Sequence, residues 1–290
     1  MTASGGFVVE DEPGGRTLVV TGAWSDAAAR VLAGGEADGL VLNYARGFAG
    51  SDLEFLEGGL GVRRLKLLDR NIVDLQPIER LAGSLDELSV QAAPGAELDL
   101  GPLPHLRSVG GEWSLIGATL GGVDDLESVI TWRFDEVDLH AFRDHVRLRQ
   151  LTIKEAAHLE SLSGVGNLPE MTALIVGLAH NLSDICDVAG IASALREFKL
   201  ETCPSITALD DVEQLRELRV LGFSDCGDIE SVAPLGALEQ LEELYAWGST
   251  RIVDGDLSPL VRLPRLKEIR MRNRRGYKPP VGDLVSALSA

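Results

Sequence analysis

Apolar residues along this chain recur in a two-beat pattern, Leu-x-Leu, at intervals of 20 to 25 residues. The first members are Leu40, Leu65, Leu88, Val109, Val129, Leu151, Leu174, Phe198, Leu221, Leu244 and Ile269. Alternation sends successive side chains to opposite faces, so each pair predicts a short β-strand with one buried face. Behind each strand runs a second apolar series at three-residue steps, such as Ile229, Val232, Leu235, Leu238 and Leu241. That spacing suits a 3₁₀ turn or short helix that returns the chain along the back. A strand followed by a crossover to a parallel strand is right-handed. The pattern therefore predicts an α/β chain wound as a right-handed solenoid. About eleven parallel strands line its concave face, and 3₁₀ turns or short helices form its convex side.

The ruler is clearest from Leu195 to Leu241. There Leu195, Phe198, Leu200, Cys203, Ile206, Leu209, Val212 and Leu215 superpose on Leu218, Leu221, Phe223, Cys226, Ile229, Val232, Leu235 and Leu238, each shifted by 23 residues. It is weakest between Val109 and Phe142, where Gly110, Gly111, Gly117, Gly121 and Gly122 accumulate. The strand series resumes in phase afterwards, so this stretch reads as an irregularity within one stack; a hinge between two half-solenoids is the alternative. At the start, Phe7–Val9 and Leu18–Val20 flank a Pro/Gly-rich turn and predict a hairpin. Leu18 falls one period before Leu40, so the hairpin can supply a strand to the same sheet. Ser25 then precedes a run of helix formers as an N-cap, with Trp24 before it packing onto the helix. At the end, Pro279-Pro280 breaks the repeat, and Val281, Leu284, Val285 and Leu288 space like an amphipathic helix. The expected organisation is an N-terminal capping hairpin and helix over 1–38, repeats over 39–272 and a C-terminal helical cap over 273–290.

These residues resemble leucine-rich repeats, in particular the short repeats of bacterial internalin-like proteins. Ile72-x-x-Leu75-x-Pro77-Ile78-x-x-Leu81 and Ile229-x-x-Val232-x-Pro234-Leu235-x-x-Leu238 match the back side of such repeats. The sixth position of the strand motif is Asn or Cys in that family, bonded inside the turn. Cys203, Cys226 and Ser249 stand there, whereas Ala156 and Ala179 depart from it. The resemblance implies a protein-binding scaffold that works through its concave face. Adhesive roles of secreted members are not carried over.

Composition narrows the classes further. Net charge is -18, which speaks against nucleic acid and anionic membranes as partners. Apolar content of 45% suffices for a continuous core. Met1–Gly15 lacks a basic run followed by an apolar one, and no apolar run spans a bilayer. Three cysteines without a secretory signal fit reduced thiols in a cytoplasm. Scarce lysine with abundant Arg, Ala, Gly, Val and Asp resembles a high-GC bacterial coding bias. Cys203 and Cys226 fall in adjacent repeats, roughly one strand spacing of 5 Å apart, and read as buried ladder positions. His140 and His145, five apart near Asp138 and Asp144, do not share a helical face, so no metal site is expected. Asp124-Asp125 and Asp210-Asp211 at the starts of back-side turns read as solvated caps. Neither a Gly-x-Ser-x-Gly elbow nor a Gly-x-x-x-x-Gly-Lys loop is present. No catalytic residue, cofactor or metal is expected, and the chain reads as a non-enzyme.

If the Leu-x-Leu residues point inward, the residues between and after them face out. Two outward clusters then carry binding-type side chains. One is Ile130, Trp132 and Ile175 around Thr152. The other is Tyr245 and Trp247 beside Arg270 and Arg272. Trp, Tyr and Arg are the types enriched in interface hot spots. A slip of register by one residue would instead bury Trp132 or Trp247. The expected function is a cytoplasmic protein-binding scaffold, an inhibitor or immunity-type protein in one version. Its anchors are Tyr245, Trp247, Arg270 and Arg272, with Ile130, Trp132 and Ile175 secondary. The alternatives are a regulatory or signalling accessory domain that binds through the acidic convex side, and an unrecognised hydrolase or metal enzyme.

Overall fold

The computed structural model describes residues 6–57 and 59–288. The first five residues of the expected N-terminal cap and the last two of the C-terminal cap lie outside them. The chain groups into two compact units, 1–130 and 131–290.

In the first unit, β1 (Phe7–Glu12) and β2 (Gly15–Val20) form the expected antiparallel hairpin, with Phe7 opposite Val20. Helix α1 (Asp26–Ala33) follows. Its first turn is capped by Ser25, whose Oγ accepts from the Ala28 N–H at 3.3 Å. Trp24 stacks on Phe55 with ring centroids 4.3 Å apart, and Phe48 meets Phe55 edge-on. The parallel series continues with β3 (Gly39–Asn43), β4 (Arg64–Leu68), β5 (Glu87–Gln91) and β6 (Ser108–Glu112). Leu18, Leu40, Leu65, Leu88 and Val109 pair in register across β2 to β6, so the hairpin does supply the first strand of the ladder. The short helix α2 (Trp113–Ile116) comes next and buries Trp113. β7 (Ser128–Trp132) begins in the first unit and ends in the second.

The second unit carries β8 (Gln150–Lys154), β9 (Ala173–Gly177), β10 (Glu197–Glu201) and β11 (Val220–Ser224). Two-residue strands β12 (Asp228–Ile229) and β14 (Arg251–Ile252) pair with each other, while β13 (Glu243–Ala246) and β15 (Glu268–Met271) extend the main ladder. Register is unbroken: Leu151, Leu174, Phe198, Leu221, Leu244 and Ile269 lie side by side. All eleven strands expected from the Leu-x-Leu ruler are present. The three-step series forms 3₁₀ segments, such as Cys186–Ile191, Asp210–Gln214 and Ala233–Ala237, and in the last coil the helix α3 (Ser258–Val261). The expected terminal helix is α4 (Val281–Leu288), with Val281 and Leu284 buried.

The coil of β11 shows how the core is built. Leu218, Leu221, Phe223, Cys226, Ile229, Val232, Leu235, Leu238 and Leu241 are all fully buried. Burial of each large aliphatic or aromatic side chain contributes about 1.5–3 kcal/mol. The start of several convex turns is held by a short polar side chain two residues ahead. Asp74, Asp138, Asp184 and Asp256 accept from the N–H of Gln76, His140, Cys186 and Ser258, and Ser161 and Ser231 act likewise on Ser163 and Ala233. These bonds, led by the backbone N–H, hold the carboxyls of Asp138, Asp184 and Asp256 below the usual carboxylate range. Part of the acidity is thus structural. Asp210 and Asp211 open a 3₁₀ segment without bonding its N–H groups, so they are not the caps expected of them; Ala208 stands where the capping side chain would be. Among the described residues no helix is long and apolar enough to cross a membrane.

Candidate functional site

In the second unit β8, β10, β13 and β15 alternate cleanly, and β9 and β11 depart from this only at glycines. Leu244 and Ala246 are buried, Tyr245 between them is half-buried on the opposite face, and Trp247 is 58% exposed. The register of β10, β11, β13 and β15 aligns Lys199, Gly222, Tyr245 and Arg270 in one row. The row forms a clamp around one ring. Lys199 Nζ lies 5.6 Å from the Tyr245 ring centroid and Arg270 Cζ lies 5.5 Å from it, each reaching over the ring from its own neighbouring side. Cation–π contacts of this kind contribute about 0.5–1 kcal/mol at exposed sites.

Gly222 makes the clamp possible. A Cβ there would come within 2.9 Å of Lys199 Cγ, so the missing side chain is what lets Lys199 lean across β11. Each member of the clamp is also tethered two residues back along its own strand. Lys199 pairs with Glu197 at 2.5 Å, Arg270 pairs with Glu268, and the Tyr245 hydroxyl donates to Glu243 Oε2 at 2.6 Å. The last bond, together with burial and the Glu243 charge, pushes the phenol up to about 12. Tyr245 is therefore a neutral, immobilised ring.

These side chains line a groove of about 660 Å³. Tyr245, Trp247 and Arg270, three of the four primary sequence candidates, meet there, and helix α4 adds Val281 and Val285. Arg272 follows directly on β15, is exposed, and falls outside the lining. It has no ion-pair partner among the described residues. The secondary candidates are not part of this groove. Ile130 is exposed at the end of the first unit, Trp132 is half-buried on β7, and Ile175 is half-buried on β9 beside Thr152 and Lys199. The ruler already held Lys199, Glu201, Gly222 and Ser224 in the outward rows, and contrast with their neighbours could have marked Gly222. Val281 and Val285 carry no such signal, because only the fold of the cap brings them to the sheet.

Trp247 is turned outward by the backbone around it. Its N–H donates to Ser224 Oγ at 3.2 Å, and its carbonyl accepts from the Asp225 N–H at 3.0 Å. Gly248 follows at φ +72, where a Cβ would strike the Asp225 carboxylate. That open space lets Asp225 Oδ1 accept from the Ser249 N–H at 2.8 Å. One position in this turn differs from the sequence expectation. Ser249 is exposed, and the inner place below the strand belongs to Thr250. Thr250 Oγ1 accepts from the Cys226 N–H at 3.1 Å and donates to the Phe223 carbonyl at 2.7 Å. The coil has one extra residue after Gly248, which moves the inner position on by one.

Cys203 and Cys226 occupy the same inner place in the two preceding coils and are fully buried. Their thiols face backbone carbonyls, Val176 and Glu201 for Cys203, and Leu200 and Ser224 for Cys226. The hydrogen bond with Cys203, followed by burial, pushes the Cys226 thiol up. Both are free thiols in ladder positions. His140 pairs with Asp138 at 2.9 Å, while His145 is buried, so the two histidines do not converge. Among the described residues no group of three or more His, Cys, Asp or Glu could hold a metal ion.

The basic end of the chain divides by role. The Arg274 guanidinium donates to the carbonyls of Gly248, Ser249 and Thr250 at 2.9–3.2 Å, and the Tyr277 hydroxyl accepts from the Ile252 N–H. These two close the last turn. Arg275 and Lys278 are exposed.

No protein-family model matches the chain, and no curated protein matches it. Solved structures do. An internalin (inlF) from Listeria monocytogenes is 15% identical, with 75% of this chain and 79% of that chain covered and a TM-score of 0.45. Internalin C2 from the same organism is 18% identical, with 68% and 78% covered and a TM-score of 0.40. A TDR receptor is 15% identical, with 73% of this chain and 40% of that chain covered and a TM-score of 0.50. Of these the TDR receptor alone reaches a TM-score of 0.50, and at 15% identity it speaks to fold alone. With parallel in-register strands, convex turns in three-residue steps and a buried residue below each strand end, the chain is a leucine-rich-repeat protein by fold.

Proposed function

We propose that this protein acts by binding another protein through the outward face of its strands in the second unit, without catalysis of its own. The observation that carries this reading is Trp247. A tryptophan just past the end of β13, 58% exposed and lining the groove, leaves a large apolar surface in water that a partner would cover. Around it sit a fixed Tyr ring and two arginines, the residue types that dominate binding energy at interfaces. A scaffold of this kind suits an inhibitor or immunity-type role, in which occupancy of the face blocks the partner's own site.

The test is a pull-down from the native host with mass spectrometry, comparing the wild-type chain with the double variant Trp247→Ala, Arg272→Ala. The expected result is loss of the bound protein in the variant. Equal recovery by both proteins would remove this surface from consideration. A second reading is favoured by one observation on the convex side. The Asp211 carboxyl is pushed up by burial and by the charges of Asp184 and Asp210, which marks a locally dense acidic patch. If charge reversal at Asp210 and Asp211 abolishes recovery while the double variant does not, the acidic side is the binding surface.

A further inference from the structure

We infer that the groove beside Trp247 takes an acidic segment of the partner, an extended stretch with an apolar side chain next to a carboxylate. This deepens the concave-face reading and rests on it.

Three observations set the chemistry. First, Lys199 and Arg270 both lie over the Tyr245 ring, and its hydroxyl is taken by Glu243. Tyr245 is a floor rather than a stacking partner. The accessible apolar surface is Trp247 and Val285, with the buried Val281 of α4 behind them in the groove lining. Second, charge is distributed against the trend of the molecule. Between Lys267 and Pro280 stand six basic residues and one acidic residue, in a chain of net charge -18. Lys267 pairs with Glu242, Arg270 with Glu268, and Arg274 serves the backbone. Arg272, Arg275 and Lys278 have no ion-pair partner among the described residues. A carboxylate arriving here meets cations without first breaking an internal pair, and guanidinium can hold it bidentately. Third, the opposite end of the same row is anionic. Glu201 and Ser224 end β10 and β11, and Trp247 and Arg272 directly follow β13 and β15, in the order of the strands. Three strand spacings make the row about 14 Å long. That is the reach of four to five extended residues.

The row therefore has polarity. A segment crossing the strands places its carboxylate over β15 at Arg272 and its apolar side chain against Trp247. Toward β10 it carries a neutral or basic residue beside the exposed Glu201. Because these charges are exposed, attraction between them is screened within about 8 Å at physiological salt, and binding should weaken as salt rises.

The test is selection of a random twelve-residue peptide library, displayed on phage, against the full chain. Selected peptides are then titrated by fluorescence anisotropy on wild type, Trp247→Ala, Arg272→Glu, Arg272→Lys and Glu201→Gln, each checked for an unchanged thermal melt. The expected winners carry Asp or Glu next to an aromatic or large aliphatic residue. Their affinity should fall at least ten-fold with Arg272→Glu, fall less with Arg272→Lys, and rise about two-fold with Glu201→Gln. Winners without acidic residues, winners indifferent to Arg272→Glu, or a selection without winners overturn the inference. Binding that is lost in Trp247→Ala but unchanged in Arg272→Glu overturns the acidic segment alone and leaves the concave-face reading standing. Binding unchanged in both variants removes the groove as well.

Discussion

Two neighbouring coils of this protein, 218–240 and 241–265, begin from the same apolar ruler and end differently. In the first, β11 runs for five residues and the inner place is filled by Cys226 at the expected spacing. In the second, β13 stops after four, Trp247 leaves the ladder to bond a serine side chain, and the inner place passes to Thr250. The regular coil has its apolar side chains inside. The irregular one keeps its core pair, Leu244 and Ala246, and exposes a tryptophan. Trp247 holds the same outward place as Ser224, and the residue added after Gly248 shifts only the inner position, because strand pairing pins the start of the coil while the next strand pins its end. The slack is taken up in between, at the rim of the groove. A solenoid can thus vary its surface without disturbing its core.

That contrast can be broken from either side. The largest effect is expected in the regular coil. Phe223→Ala empties a fully buried site between two neighbouring coils and should cost about 3–5 kcal/mol, read from chemical denaturation. A cost below 1 kcal/mol would mean that the coil is far looser than its burial indicates. Next comes Thr250→Val, which strands the Cys226 N–H and the Phe223 carbonyl without the hydroxyl. It should cost about 1–3 kcal/mol, whereas Ser249→Ala should cost under about 0.5 kcal/mol. The reverse order would restore Ser249 as the inner residue. Arg274→Ala removes a guanidinium from three carbonyls at the end of the stack and should cost about 1.5–3 kcal/mol. Trp247→Ala should change stability by less than about 0.5 kcal/mol, since the ring is mostly in water.

The smallest effect concerns the clamp. The Tyr245 phenol is pushed up to about 12, mainly by the bond to Glu243. The folded state therefore keeps its proton where the unfolded chain, with a phenol near 10, has lost it. The associated stability is present below pH 10 and is lost as pH rises through about 12. Absorbance titration should show one late tyrosine in the wild type, and Glu243→Gln should bring it down toward the ordinary value. Gly222→Ala should push Lys199 off the ring without unfolding the coil, visible as a shifted Lys199 resonance.

The strands were legible because parallel pairing forces one inward pair per period, and that pair has to be apolar. Leu40 through Ile269 were readable for that reason, and so was the hairpin strand at Leu18. The outward rows followed from alternation, which brought Tyr245, Trp247 and Arg270 to one surface. Reading Ser249 as an inner residue assumed that the turn keeps constant length, and the extra residue after Gly248 breaks that assumption. Reading Asp210 and Asp211 as caps failed because the capping side chain stands two residues before the N–H it holds, at the place occupied here by Ala208. Arg272 and Arg274 are alike as sequence, yet Arg274 is spent on backbone carbonyls and Arg272 is left exposed.

By itself, then, the sequence determined the period, the strand register and which residues face away from the core, since these follow from hydrophobic burial repeated at a fixed interval. Tertiary structure alone decided the rest. It folded α4 back so that Val281 and Val285 line the groove, and it set Lys199 and Arg270 on either side of Tyr245 across a glycine. It also chose which arginine serves the fold. Those outcomes depend on distances between side chains far apart in the chain, and a repeat pattern carries no information about them.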